Sequence, residues 1–331
     1  MEQQVYLSSS PHIHSGASTP QIMRAVVYSL LPACAAAIVF FGLPALVVLL
    51  IAVLGCMACE VVCQRLMHQP VTLSDGSAVV TGILLALNLP ATSPWWMTLL
   101  GAVIAIGIGK QVFGGLGYNL FNPALVARVV LLISFPVQMT RWTTPTPFSS
   151  GLDAVSAATP LGEWKTAVML TGRLPEEMSG GPFSYLIGNM AGCVGEVSAL
   201  ALLGGAIYLF RRKILTWHIP LSYVASVVVL SGVFWLVDPG RYPNPLFHLL
   251  TGGLVLGAFF MATDMVTTPV APAGMVLFGV GCGVLTVIIR LFGGYPEGVS
   301  FAILLMNAAT PLIDRYLRPR TFGVVRQGGA R

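Results

Sequence analysis

Ten apolar stretches, separated by short polar or glycine- and proline-rich turns, run through most of the chain: 24–42, 44–63, 76–90, 95–112, 121–138, 183–209, 216–237, 247–263, 272–291 and 299–317. A membrane-crossing helix needs roughly 20 apolar residues, at 1.5 Å per residue across about 30 Å of hydrocarbon, and most of these stretches approach that length. The third and eighth are short. Asn88 and Pro90 fall in one, and Asp264 and Pro269 follow the other. The pattern predicts an all-α integral membrane protein with about ten transmembrane helices.

The two short stretches occupy corresponding places in the two halves of the chain. Thr81-Gly82-Ile83-Leu84 is similar to Thr251-Gly252-Gly253-Leu254. Gly114-Gly115 precedes a stretch with Asn122-Pro123, as Gly293-Gly294 precedes one with Asn307 and Pro311. Paired interrupted segments point to an internal repeat with a site near mid-membrane. Five crossings per half make the halves antiparallel, so the repeat is expected to be inverted. The predicted division is a cytoplasmic arm 1–22, a first membrane repeat 23–138, an outer loop 139–182, a second membrane repeat 183–317 and a basic cytoplasmic tail 318–331.

Composition agrees. Of 331 residues 56% are hydrophobic and 9% charged, against about 25% charged in soluble domains. The net charge of +5 sits mostly at segment ends and reads as an orientation signal, so no nucleic-acid partner is expected. With a cytoplasmic N-terminus, Arg24, Arg65, Lys110, Arg128, Arg211, Arg212, Lys213 and the tail arginines fall inside. Arg141, Lys165, Arg173, Arg241 and Arg290 fall outside. This bias puts both termini in the cytoplasm and loop 139–182 on the periplasmic side of a bacterial inner membrane. Residues 1–22 are polar and do not read as a cleavable signal. Cys56, Cys59 and Cys63 share a helix face, but no fourth ligand or polar pocket is in view, and the six cysteines read as packing residues. His12 and His14 read as unliganded, His218 and His248 as interfacial side chains, and Trp95-Trp96 as an interface anchor. No NAD-binding glycine fingerprint and no cluster-forming cysteine set is present, so a complete oxidoreductase is not expected in this chain alone.

One polar loop carries candidate chemistry: Asp153-Ala154-Val155-Ser156-Ala157-Ala158-Thr159-Pro160. A Thr hydroxyl is a poor nucleophile, and no His or Cys lies near to activate it. Attachment of a group by a separate enzyme needs only exposure and small neighbours, which Ser156, Ala157 and Ala158 supply. Pro160 restricts the chain, Asp153 suits a turn at the loop start, and Trp142 and Trp164 are placed to stack on an aromatic ring. Taken alone, the octapeptide is equally an ordinary exposed loop.

Further motifs accompany it: Gly117-Tyr118-Asn119-Leu120-Phe121-Asn122-Pro123-Ala124, Gly195-Glu196, Phe260-Met261-Ala262-Thr263-Asp264 ahead of Thr268-Pro269, and Leu312-Ile313-Asp314-Arg315. With these, in this order across nearly the whole chain, the sequence resembles the RnfD/NqrB family, and the short N-terminal arm favours the RnfD branch. The family pattern is roughly Asp-x-x-Ser-Gly-Ala-Thr. Ala157 stands where the family has Gly, a departure that matters if the position needs a positive φ. The resemblance implies a subunit of a redox-driven ion pump that passes electrons between a ferredoxin-type donor and NAD while moving Na⁺ or H⁺. It implies FMN esterified through its phosphate to Thr159 by a flavin transferase that uses FAD and Mg²⁺. It also implies other membrane, iron–sulfur and NAD-binding subunits as partners, and a urea-transporter-like fold of two inverted five-helix repeats in membrane lipid. The alternatives are an NqrB-type subunit of a quinone reductase and a non-redox channel or transporter for a small solute.

Other polar groups lie in apolar stretches. Asn119 and Asn122, three apart, would share a helix face. They suit the carbonyls of a flavin or an ion beside a helix N-terminus, and the resemblance puts a non-covalent riboflavin there. A helix cap with an interhelical hydrogen bond serves equally well. Glu60, Glu196, Asp264 and Asp314 are ion-path candidates, because a charge at mid-bilayer costs about 2.5–3.5 kcal/mol and needs a reason. Glu196 is the most central, and a structural hydrogen bond is its plainer role. For Glu60 and Asp314 the plainer role is surface pairing with Arg65 and Arg315, and for Asp264 it is capping the turn at Thr267-Thr268-Pro269.

Overall fold

The computed structural model of the chain describes residues 18–145, 156–175, 180–196 and 198–317. Helices α1 (Thr19–Phe41) and α2 (Leu43–Leu66) form a hairpin turned at Gly42, whose φ of 67° favours glycine. Helix α3 (Ser77–Leu87) stops short at Asn88-Leu89-Pro90. Helix α4 (Trp95–Val103) runs on through a π turn, Ile104–Ile108. Then come α5 (Pro123–Ser134) and α6 (Pro136–Met139). Strand β1 (Trp142–Thr143) pairs antiparallel with β2 (Ser156–Ala157), and α7 (Pro160–Thr171) follows directly. The second half comprises α8 (Pro182–Ile187), α9 (Ala199–Arg211), α10 (His218–Val237), α11 (Pro245–Leu250), α12 (Leu254–Leu256) continued by a π turn Gly257–Met261, α13 (Pro272–Phe292) and α14 (Val299–Tyr316).

The protein is mostly helical and multi-pass. Among the described residues five helices are long and apolar enough to cross a membrane: Thr19–Phe41, Leu43–Leu66, Trp95–Phe113, His218–Val237 and Pro272–Phe292. Helices α3, α5 and α9 are shorter and apolar. Helix α2 lies against α3 and α4, α1 against α9, and α13 against α10 and α14. Small residues set the close approaches, as expected where lipid supplies no hydrophobic drive between helices. A Cβ on Gly82 would meet the Val53 backbone at 2.6 Å, and one on Gly205 would overlap the Ser29 carbonyl.

Three expectations change. The sixth stretch, 183–209, is not one helix: it unwinds over 188–196 between α8 and α9. The unwound backbone is satisfied by the frayed end of α3, with Gly195 N–H donating to Leu87 O at 2.7 Å, Val194 N–H to Leu89 O at 3.0 Å, and a β-bridge from Pro90 to Cys193. The two interruptions meet in the interior. The eighth stretch breaks at Thr251–Gly253, where Gly252 takes a φ of 70°, whereas the similar Thr81-Gly82 lies within α3. The stretch 139–182 is not simply a loop: its described residues include the β-ladder and α7. Helix α7 starts at Pro160, in the first helical position, where its missing N–H costs nothing.

Candidate functional site

Helix α7 is anchored by Leu161 and Trp164, which pack with Tyr185, Met190 and Phe247 in a satellite core. Trp164 Nε1 donates to Arg241 O at 3.1 Å. Lys165 Nζ donates to the carbonyls of Tyr295 at 3.0 Å and Arg290 at 3.1 Å, and burial holds this amine below the usual lysine range. This anchorage fixes Thr159, the N-cap of α7. Its Oγ1 accepts from Gly162 N–H at 3.0 Å. The cap uses an oxygen lone pair and does not involve the O–H bond itself.

Thr159 stands at a cavity of about 230 Å³. Ala158, Gly162 and Thr166 line it on the α7 side, Trp142 from β1, and Arg128 and Leu132 from α5. Pro296, Glu297 and Ser300 close the far side. Ser300 Oγ is buried there without a hydrogen-bond partner. Arg128 is held from behind. It forms an ion pair with Glu297, donates to Asn88 Oδ1 at 2.6 Å, and approaches Cys193 Sγ at 3.5 Å. Glu297 also accepts from Gly253 N–H at 2.8 Å. One ligating atom from each of Cys193, Glu196 and Glu297 lies within 4.8 Å of the others.

A second cavity, of about 130 Å³, opens at the other end of α5. Asn119, Asn122, Lys110, Thr81, Phe259 and Asp264 are among its walls. Asn122 is the α5 N-cap: its Oδ1 accepts from Ala124 N–H at 3.1 Å and Leu125 N–H at 3.4 Å, and its Nδ2 donates to Met261 O at 3.3 Å. From Asn122 to Leu132 the helix rises about 15 Å, so one short helix reaches from one cavity to the other.

The model of the NQR2, RnfD, RnfE family matches residues 6–323. The chain belongs to this family. Among its relatives is the D component of the Na(+)-translocating ferredoxin:NAD(+) oxidoreductase complex of Acetobacterium woodii, 47% identical over 320 residues that cover 97% of this chain and 96% of the relative. The D component of the proton-translocating ferredoxin:NAD(+) oxidoreductase complex of Clostridium ljungdahlii is 42% identical, over 97% of this chain and 96% of the relative. Its counterpart in the ion-translocating oxidoreductase complex of Halorhodospira halophila is also 42% identical, again over 97% of this chain and 96% of the relative. The resemblance carried by the motifs is borne out.

The residues behind that resemblance do not all come together. Thr159, Ala158 and Trp142 share the first cavity, whereas Trp164 is buried beneath α7. Pro160 opens α7, Ser156 and Ala157 form β2, and Asp153 lies outside the described residues. Ala157 is extended, since the described non-glycine residues with positive φ are His68, Ser198 and Lys213, so its site makes no demand for glycine. Asn119 and Asn122 share a cavity but not a helix face, because α5 begins only at Pro123 and Asn119 Nδ2 donates to Phe121 O at 3.2 Å.

The acids differ more from expectation. Glu60 is fully buried and pairs with Lys110 at 2.5 Å, not with Arg65 at the surface. Gln111 Nε2 donates to the same Glu60 oxygen at 3.1 Å. Asp314 Oδ1 accepts from Val270 N–H at 3.1 Å, tying α14 to the segment before α13. Asp264 accepts from Val266 N–H at 3.4 Å, the capping role. Glu196 sits in the unwound 188–196, not within a helix. Lys110, Arg128, Lys165 and Arg290 are buried and bonded, so they do not serve as orientation charges. His248 is likewise buried, edge-on to Trp164 at 5.7 Å. Glu297 and Ser300 were not named from sequence, while Arg128 was read as an orientation charge and Cys193 as a packing residue. Arg128 had a visible signal, since a cation inside an apolar stretch needs a reason as much as an acid does. Glu297 and Ser300, in and after a short turn, had none.

Proposed function

We propose that this chain is the RnfD subunit of an Rnf-type ion-translocating ferredoxin:NAD⁺ oxidoreductase, and that it carries electrons on FMN joined through its phosphate to Thr159. The observation that carries the reading is Thr159 Oγ1 at the rim of a cavity that contains an unpartnered buried hydroxyl, Ser300. The residues fit the group in three respects. Thr159 caps α7 through a lone pair, so replacing its proton by phosphorus leaves the bond from Gly162 in place. The phosphate would lie at the N-terminus of a 12-residue helix, where free N–H groups and the helix dipole favour an anion. Trp142 supplies a flat face beside the cavity, and Ser300 and Arg128 supply polar contacts. Bound there, FMN would supply one- and two-electron transfer. The protein would hold it at the N-terminus of α7 and fix the charges of Arg128 and Glu297 beside it.

The same reading puts the protein in a bacterial inner membrane with both termini cytoplasmic and α7 periplasmic, where a flavin transferase reaches Thr159. The exposed cations Arg24, Arg65 and Arg211-Arg212-Lys213 support that orientation. The short α3 and the broken α11–α12, at corresponding places in the two halves, support two inverted five-helix repeats of the urea-transporter kind. Other Rnf-type subunits supply the iron–sulfur and NAD sites, and membrane lipid surrounds the bundle. The second cavity, with Asn119 and Asn122 in its wall, supports a non-covalent riboflavin. Of the acids, Glu60 is paired with Lys110, while Asp264 and Asp314 accept from backbone. Glu196 forms neither of the two ion pairs among the described residues, which favours it for the ion path. The relatives are named for Na⁺ and for protons at similar identity, so family membership does not decide the ion.

The test is the mass of the peptide spanning Thr159 from natively matured complex, with in-gel flavin fluorescence of wild type and Thr159→Ala. An FMN-sized mass increment and a dark variant are expected. An unmodified peptide in a fully active complex overturns the reading. For Glu196→Gln, electron transfer should persist while ion transport falls. Equal loss of expression and flavin would mark Glu196 as structural. Electron delivery between ferredoxin and NAD, rather than to quinone, separates the Rnf type from the NqrB type.

A further inference from the structure

The wall of the Thr159 cavity contains a fixed ion pair. Arg128 lines the cavity yet is only 6% exposed. It is fastened by groups from three separate places in the chain: Asn88 at the end of α3, Cys193 in the unwound 188–196, and Glu297 in the turn before α14. Glu297 is itself fastened to Gly253 N–H at the break between α11 and α12. Neither charge can swing away without breaking bonds at a helix end. Three more buried charged side chains do not line the cavity: Glu196 beside Cys193, Arg290 bound to the His248 and Thr251 carbonyls, and Lys165 bound to the Tyr295 carbonyl.

Charges held rigidly in a dry interior act on their neighbours far more strongly than the same charges in water. We propose that Arg128 sets the reduction potential of the group in this cavity, with Glu297 as the opposing charge. This rests on the flavin reading above. Reduction of a flavin by two electrons with uptake of one proton would add one negative charge beside both side chains. Arg128 favours the electron-loaded state and Glu297 disfavours it. The two residues are joined to each other, so a purely structural role would give both variants the same kind of damage. An electrostatic role gives them opposite signs.

The experiment is an equilibrium redox titration of the covalent flavin in the assembled complex, with dithionite as reductant and flavin absorbance as readout. In-gel fluorescence is measured separately to show that the flavin is attached. Arg128→Gln should raise the oxidised-to-reduced ratio at a fixed ambient potential about tenfold, a lowering of about 30 mV for a two-electron couple. Glu297→Gln should shift it by a similar factor in the other direction. Arg128→Lys should restore the wild-type value to within about a third of that shift, because it keeps the charge. The double variant Arg128→Gln/Glu297→Gln leaves no stranded buried charge and should titrate below Glu297→Gln alone. That comparison decides the sign for Arg128 if the single variant does not assemble. Shifts in the same direction, or no difference between Glu297→Gln and the double variant with flavin attached, overturn the proposal. A wild-type complex with no flavin at Thr159 overturns the earlier reading instead, and the two failures are distinguishable by the fluorescent band.

Discussion

On the proposed flavin reading the Thr159 oxygen has two separable tasks, and a short substitution series pulls them apart. As N-cap it accepts from Gly162 N–H at 3.0 Å, an interaction typically worth about 1 kcal/mol. Leu161, Trp164 and Lys165 bury α7 independently of the cap, so losing it loosens the first turn without undocking the helix. At RT of about 0.59 kcal/mol, 1 kcal/mol is roughly a fivefold change in the local opening equilibrium. Thr159→Ala should therefore speed hydrogen exchange at the Gly162 amide about fivefold and abolish covalent flavin. Thr159→Asn keeps a capping acceptor and lacks a hydroxyl, so exchange should stay near wild type while the flavin is absent. Thr159→Ser should retain both. The assays are amide hydrogen exchange of the α7 segment and in-gel flavin fluorescence on the same preparations. A fluorescent Thr159→Asn band would refute the ester assignment, and unchanged Gly162 exchange in Thr159→Ala would refute the capping energetics.

Lys110→Met strands the Glu60 carboxylate with only the Gln111 amide and should destabilise the protein by about 3–5 kcal/mol. Glu60→Leu/Lys110→Met, which removes both charges, should recover most of this in detergent unfolding, and a single-variant loss under ~1 kcal/mol would contradict a buried pair. Gly205→Ala must push α1 from α9, because its Cβ overlaps the Ser29 carbonyl, and should cost about 1–3 kcal/mol. Gly204→Ala meets open space and should be neutral or gain up to ~1 kcal/mol of helix propensity; equal thermal shifts would count against the packing argument. Burial lowers the Lys165 pKa, so the penalty for its charge is full below the folded-state value and is relieved as pH rises from there towards about 10.4. Stability should rise across that alkaline window, and Lys165→Met should flatten the rise; a slope unaffected by the substitution would refute it.

The sequence made the membrane class plain, because a hydrocarbon solvent leaves long apolar runs that few other environments produce. It also located Thr159, Asn119 and Asn122 from motifs, and Asn88-Leu89-Pro90 as a break from its helix-stopping residues. The break at 188–196 was hidden because it lies inside a long apolar stretch, although Gly188, Gly192 and Gly195 were a local signal against a continuous helix. What unwinds the segment is its pairing with Leu87 and Leu89, about a hundred residues earlier, and no local pattern records that. The partners of charges were equally invisible. Glu60 lies five residues from Arg65 but bonds Lys110, fifty residues on. Sequence proximity suggests surface pairing, whereas burial at the α2–α3 contact selects a cation that arrives there from the interior side.

A broken helix in a membrane leaves N–H and C=O groups that water cannot reach, so each break must be answered by another part of the protein. Here the breaks answer one another. The α3 end accepts from 194–195, the 251–253 break is held by Arg290 on one side and Glu297 on the other, and Glu297 is held in turn by Arg128. Glu297 thus stands in for a missing turn of helix and forms part of the cavity wall. Removing its carboxylate altogether strands both the Gly253 N–H and the Arg128 guanidinium. Glu297→Gln keeps an acceptor for Gly253 and removes only the charge, which is why Gln rather than Ala is the informative replacement. By the same bonds, any change in charge beside Glu297 acts at once on Arg128 and on the break between α11 and α12. The backbone interruption and the cavity electrostatics are therefore one structural unit.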